Sequence, residues 1–123
     1  LGFCVLGGVF SEGIDLKKNR LIGSIIVSVG LPQISKEQEE LKNYFDEKNQ
    51  QGFYYIYQLP GFNKIMQAAG RVIRTEEDRG VILLIDQRFS RKDYMQLYPT
   101  HWSKGVVVHD LNSMLNQLKQ FWH

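Results

Sequence analysis

An α/β fold with a mainly parallel sheet is what this sequence predicts, and three observations predict it. The runs LIGSIIVSVG (21–30) and VILLID (81–86) are nearly continuous apolar stretches rich in β-branched residues. That is the pattern of strands buried on both faces, as parallel strands are. Between them lie two stretches of helical periodicity, and a third β-branched run, GVVVHD, precedes a last amphipathic stretch. Strands that alternate with helices build layered α/β folds.

The elements follow in chain order. GFCVLGGVF is a short apolar run that reads as a Gly-rich strand end, stopped by the loop SEGID with Gly13. KKNR (17–20) is a polar turn whose charge suits solvent or a phosphate. After the run 21–30, Pro32 ends the strand. Ser35 then caps a helix through SKEQEELKNYFDEKNQ, with Gln38 placed to complete a capping box and a mostly acidic outer face. GFYYIYQL carries four aromatics in five residues, a set that serves a core or stacks bases.

Pro60 to Arg74 is expected to be one helix. Asn63, Gln67, Arg71 and Arg74 then share one face, with Ile65, Ala69, Val72 and Ile73 on the other. Gly70 in mid-helix costs roughly 1 kcal/mol against alanine, so a close approach to that backbone is expected. TEEDRG is a charged turn, VILLID a second doubly buried strand, SRKDYMQLYP a short helix or turn ended by Pro99, and GVVVHD a last strand. Leu111, Met114, Leu115, Leu118 and Trp122 form one face of a terminal helix, which docking on the sheet would bury.

A chain of 123 residues, 43% hydrophobic, suits one domain with a real core. Its net charge of +2 neither announces nor excludes a nucleic-acid partner. The single cysteine, Cys4, excludes an internal disulfide and any multi-cysteine metal site, and fits a small core residue in a reducing compartment. We therefore expect no metal site in this chain and a cytoplasmic protein. No apolar run reaches the roughly 18 to 20 residues that cross a bilayer, so no membrane partner is expected. The opening LGFCVLGGVF has no basic n-region, no small-residue cleavage site and no initiator methionine. It reads as the interior of a longer protein.

Two motifs carry chemistry. The first is QAAGRVIR (67–74), in which two arginines stand beside a glutamine. A guanidinium holds two oxygens at once and keeps its charge, which suits the outer oxygens of a triphosphate or charge developing in phosphoryl transfer. A solvated arginine pair with a TEED carboxylate explains the spacing equally well. The second is GGVFSEGIDL (7–16), which offers backbone N–H groups and a hydroxyl to phosphates, with Asp15 as an acceptor. A tight turn explains it too.

Taken together, GGVFSEGIDL, LIGSIIVSVGLPQIS and FNKIMQAAGRVIRTEEDRGVILLIDQRF resemble the C-terminal half of superfamily 2 helicases of the DinG/XPD type, in order and spacing, from about Leu6 to Phe89. The first matches that family's motif V and the last its motif VI, Q-x-x-G-R-x-x-R. The terminal LKQFWH also looks like that family's chain end. The resemblance implies a RecA-like three-layer fold, with residues 1–123 forming the C-terminal portion of a second motor domain. It implies an ATP-dependent DNA helicase that moves on single-stranded or forked DNA in repair or replication, its ATP held between this domain and a first RecA-like domain of the same chain. Arg71 and Arg74 would be the catalytic motif VI arginines, one of them the finger. Gln67 and Asp15 would join them in ATP binding. Ser11, Glu12 and Gly13 would contact DNA through motif V, and Asp86 and Arg88 would support that network.

The 123 residues hold no G-x-x-x-x-G-K-[ST], no D-E-A-H-like quartet and no four-cysteine set. By the resemblance, the phosphate-binding loop, the Mg²⁺ ligands and, in many members, an iron–sulfur cluster belong to the first domain, and motif IV lies upstream of Leu1. This stretch alone is expected to be inactive, with a sheet short of strands and an apolar patch left exposed. The competing readings are a non-catalytic nucleic-acid-binding or scaffold module and a helicase-related exonuclease.

Overall fold

The computed structural model describes residues 2–8, 21–102 and 105–123. Within them, two strands pair in parallel: β1 (Gly23–Val27) and β2 (Val81–Ile85), in the register Gly23 to Val81 through Val27 to Ile85. The chain returns between them through α1 (Lys36–Asn49), a π-helical turn (Tyr54–Gln58) and α2 (Leu59–Ala69). After β2 come a 3₁₀ turn (Gln87–Ser90), the short α3 (Lys92–Met95), a second 3₁₀ turn (Thr100–Trp102) and α4 (Leu111–Trp122). The result is a mixed helix-and-strand fold around a small parallel sheet.

Local chemistry explains the helices. Ser35 Oγ accepts the Gln38 N–H at 3.2 Å and starts α1. The returning half of the expected capping box does not form, because Gln38 Oε1 finds no partner among the described residues. Proline at the second position of α2 cannot donate, and its ring crowds the carbonyl four residues earlier. The widened turn just before it, closed by Leu59 N–H on Tyr54 O, relieves that crowding. Tyr57 in this turn donates its hydroxyl to Glu39, which ties the turn to α1. That bond to a carboxylate, with burial, pushes the Tyr57 phenol up to about 12.

The core lies between one face of the sheet and α2. Ile26 packs with Phe62, Ile65 and Ala69, and Ile82 and Leu84 join from β2. Phe89 and Tyr94 close the cluster from the segment after β2. The crossing of β1 with α2 is backbone on backbone. A Cβ on Gly61 would lie 2.9 Å from both the Gly30 and Val29 carbonyl oxygens, and Gly30 itself has φ +65°.

The structure corrects four expectations. The strands are not buried on both faces: Ile25 and Val27 are 64% and 67% exposed, and Ile85 beside Val27 is exposed too. This apolar outward face is exposed because no layer covers it among the described residues. Residues 2–8 form a turn, closed by Gly8 N–H on Val5 O at 2.9 Å, and residues 105–109 are irregular; neither is a strand. A strand exists only where a partner ladder satisfies its backbone, and an apolar run alone does not supply one. The terminal helix forms, with Asp110 accepting the Ser113 N–H at 2.8 Å, but it does not dock: none of its residues is buried and Leu111 is 64% exposed. Cys4 is exposed rather than a core residue.

Replacing Gly61 with alanine drives a methyl into two backbone carbonyls that cannot rotate away. It is expected to destabilise the domain by about 1–3 kcal/mol in urea or thermal unfolding. Gly70→Ala, at an exposed helix end, is expected to leave the midpoint unchanged or raise it.

Candidate functional site

Parallel strands give the sheet two chemically distinct edges, and the charged groups collect at both. At the carboxyl edge, Asp86 follows β2 directly. Its carboxylate receives the Arg88 guanidinium through two bonds, Nε to Oδ1 at 2.9 Å and Nη2 to Oδ2 at 2.8 Å. Oδ1 also accepts the Arg88 backbone N–H at 2.9 Å, which opens the 3₁₀ turn. Arg88 Nη2 reaches across to Ser28 Oγ at 3.3 Å, at the end of β1. Ser28 sits at φ +71° with its N–H on Ile85 O at 3.0 Å. The clamp therefore joins the ends of both strands. Donation by Arg88 pulls the Asp86 carboxyl down to about 2.

At the amino edge lie the arginines of QAAGRVIR. They do not share a helical face with Gln67, because α2 stops at Ala69. Gly70 caps it at φ −64°, ψ −9°, and the next two N–H groups reach back only three residues, Arg71 to Ala68 O and Val72 to Ala69 O. The expected close approach at Gly70 is absent; an added Cβ would meet the Met66 and Gln67 carbonyls of its own helix. What draws the backbone out of the helix is Asp78. Its Oδ2 accepts both the Arg74 and Thr75 N–H groups at 2.9 Å, an alternative to helical bonding. Those two N–H groups, Arg74's first, hold the Asp78 carboxyl below the usual carboxylate range.

The loop sits against the start of the sheet. Val72 is buried, and its Cγ1 stands where a Cβ on Gly80 would be, with the Ile22 carbonyl beside it. Gln67 is exposed on the last turn of α2, Arg71 is half-buried and Arg74 exposed. The structure thus brings Gln67, Arg71 and Arg74 to one end of α2 and separates them from Asp86 and Arg88, which lie past the other end of strands roughly 13 Å long. Asp86 and Arg88 therefore do not touch the arginine loop directly. Ser11, Glu12, Gly13 and Asp15 lie outside the described residues.

The aromatic set of GFYYIYQL divides. Tyr57 is buried, while Phe53, Tyr54 and Tyr55 line a groove of about 720 Å³ with Asp46 and Asp93. Two carboxylates suit a phosphate backbone poorly, so charge argues against base stacking there. Among the described residues no three His, Cys, Asp or Glu side chains converge as a metal site. Among the described residues neither a Mg²⁺ ion nor an iron–sulfur cluster finds a fitting set of ligands. Arginine and amide donors do fit nucleotide phosphates.

The sequence did not single out Ser28, and it offered Asp78 only as one of the TEED carboxylates, paired with arginine side chains rather than with the loop backbone. Asp78 had a signal, since aspartate four residues after Arg74 in a charged turn is a local acceptor. Ser28 had none, because its positive φ comes from the sheet end.

Residues 1–105 match the helicase C-terminal domain family. The chain belongs to that family. A probable ATP-dependent helicase of Methanocaldococcus jannaschii is 32% identical over 98 residues, which cover 72% of this chain and 15% of that protein. The protein named ATP-dependent DNA helicase DinG in Photobacterium profundum is 34% identical over 89 residues, covering 71% of this chain and 13% of its own length. One named 3′-5′ exonuclease DinG in Staphylococcus saprophyticus is 30% identical over 118 residues, 92% of this chain and 13% of that protein. This helicase C-terminal domain thus spans 15% or less of the length of these relatives. No helix among the described residues is long and apolar enough to cross a membrane.

The Asp86–Arg88 clamp sets a pH window. A carboxyl depressed to about 2 stabilises the fold fully above its ordinary value near 4, and that stability is lost as pH falls from about 4 toward 2. Asp86→Asn is expected to cost about 1 kcal/mol at pH 7, a figure already reduced for solvent screening. The gap between parent and variant in chemical unfolding should close over that acid window.

Proposed function

We propose that this chain is the C-terminal portion of the second RecA-like domain of an ATP-dependent DNA helicase. In this reading the three-layer fold is completed by strands beyond those described, and a first RecA-like domain of the same polypeptide supplies the phosphate-binding loop and the Mg²⁺ ligands. ATP supplies the phosphoryl group that water takes. Arg71 and Arg74 donate to its phosphate oxygens, one of them as the finger, and Gln67 orients the nucleotide. Asp15 accepts from the nucleotide or an arginine, and Ser11, Glu12 and Gly13 contact DNA. Turnover is coupled to movement on single-stranded or forked DNA in repair or replication, in the cytoplasm.

One observation carries the reading. Asp78 holds the Arg74 and Thr75 backbone, so the arginines leave the helix end on a closed loop rather than on a fraying turn. A guanidinium presented this way pays less ordering entropy when a phosphate arrives. Membership of the helicase C-terminal domain family supports the same assignment. The scaffold alternative predicts arginines that turnover does not need. The exonuclease alternative rests on the Staphylococcus saprophyticus relative named 3′-5′ exonuclease DinG, and a nuclease assay on the full-length protein tests it.

In the full-length protein, Arg71→Ala or Arg74→Ala is expected to cut DNA-stimulated ATPase by roughly 10³- to 10⁵-fold for the finger, with little change in melting temperature for Arg74, which is exposed. Lysine at either position should rescue poorly, since it loses the planar fork. Parent-like turnover in both alanine variants would sink the assignment.

Residues 1–123 alone are expected to show no ATPase above background, with or without DNA, because half of the site is missing. Turnover by this piece that disappears with Arg71→Ala would contradict the half-site.

A further inference from the structure

The loop between α2 and β2 is held at three places. Asp78 grips the Arg74 and Thr75 backbone, and Gly80 lies against Val72 and Ile22. Both of these contacts stay close to the loop in sequence or at the sheet edge. The third reaches much further. Arg79 Nη2 donates to the Phe121 carbonyl oxygen at 2.7 Å, in the last turn of α4. Its guanidinium also stands 5.1 Å from the Phe121 ring centroid and 5.9 Å from that of Trp122. The two rings meet edge to face at 5.0 Å, so they offer the cation a corner rather than a single plate.

We propose that Arg79 is a positioning residue, tying the loop that presents Arg71 and Arg74 to the end of the C-terminal helix. The inference rests on the reading of those arginines given above and adds a partner to their site. Three features favour it over a solvated arginine that happens to meet a helix end. The bond is short and charge-assisted. The same guanidinium makes two aromatic contacts besides. And α4 has no buried residue, so burial alone does not fix its end against the loop. Asp78 and Arg79 are neighbours, so one turn of backbone connects the α4 contact to the Arg74 N–H. A shift of the helix end is passed to the loop, and reordering of the loop on nucleotide binding is passed to the helix.

The test uses the full-length protein with saturating single-stranded DNA. Arg79→Ala is expected to lower kcat for ATP hydrolysis about tenfold, because a displaced arginine loses its reach to the reacting phosphate. KM for ATP and the melting temperature should stay near those of the parent. The double variant Phe121→Ala, Trp122→Ala should lose a similar factor, and adding Arg79→Ala to it should cost nothing further. Arg79→Lys keeps the charge over the rings and should recover part of the loss. Parent-like kcat in Arg79→Ala overturns the proposal, as do losses that multiply in the triple variant. A fall in melting temperature that accounts for the lost activity also overturns it, since that marks a structural role. Arg71→Ala and Arg74→Ala measured alongside separate the two ideas. If both retain turnover, the arginine assignment fails; if either loses turnover while Arg79→Ala does not, only the link to α4 fails.

Discussion

Two strands that pair in parallel enter their sheet at the same edge, so the chain between Val27 and Val81 must travel back the full length of the sheet. That requirement organises the domain. The return path is α1, the π-helical turn and α2, and the last of these lies on the sheet with Phe62, Ile65 and Ala69 turned inward. Contact begins where Gly61 meets Val29 and Gly30 and ends where Val72 meets Gly80 and Ile22. Both crossings have glycine on at least one side, because the backbone of the helix at Gly61 and the Val72 side chain of the following loop leave no room for a Cβ there.

The same geometry separates two kinds of arginine. Arg88 is bound bidentately to Asp86 and touches Ser28, so it is largely occupied in joining strand ends. The loop that carries Arg71 and Arg74 is shaped by Asp78, whose carboxylate accepts two backbone N–H groups and also feels the Arg74 charge. A carboxylate bound bidentately to an arginine joins two strand ends, whereas one satisfied chiefly by backbone N–H groups fixes the path of the chain.

Much of the fold was legible. Both paired strands, the Ser35-capped helix, the proline-led helix and the terminal helix follow from apolar period and, for the first helix, its capping residue, which act locally; Asp110, read as the end of the strand GVVVHD, caps the terminal helix instead. The arginine motif was legible as chemistry but not as geometry. Counting 3.6 residues per turn through Gly70 placed Gln67, Arg71 and Arg74 on one face, and the structure ends the helix first. The competing acceptor, Asp78, lies after the motif, beyond the reach of a period count. Strand pairing was the least legible. GVVVHD has the composition of a strand, but whether a neighbour stands beside it is a tertiary fact. The exposed sides of Ile25 and Val27 have the same origin: the run LIGSIIVSVG records that both faces are apolar, not which layer covers them.

Parallel pairing across a long return also has a kinetic side. The partner of each β1 residue lies roughly sixty positions later in the chain, so at typical synthesis rates β1 emerges several seconds to about ten seconds before β2. During that interval Ile25, Ile26 and Val27 have no ladder, and closing so large a loop is slow compared with forming α1 or α2. The helices can therefore form while the strand they will flank is still unpaired. The delay places a premium on whatever shields β1 as the chain leaves the ribosome, and makes this strand the point at which nascent copies would adhere to one another.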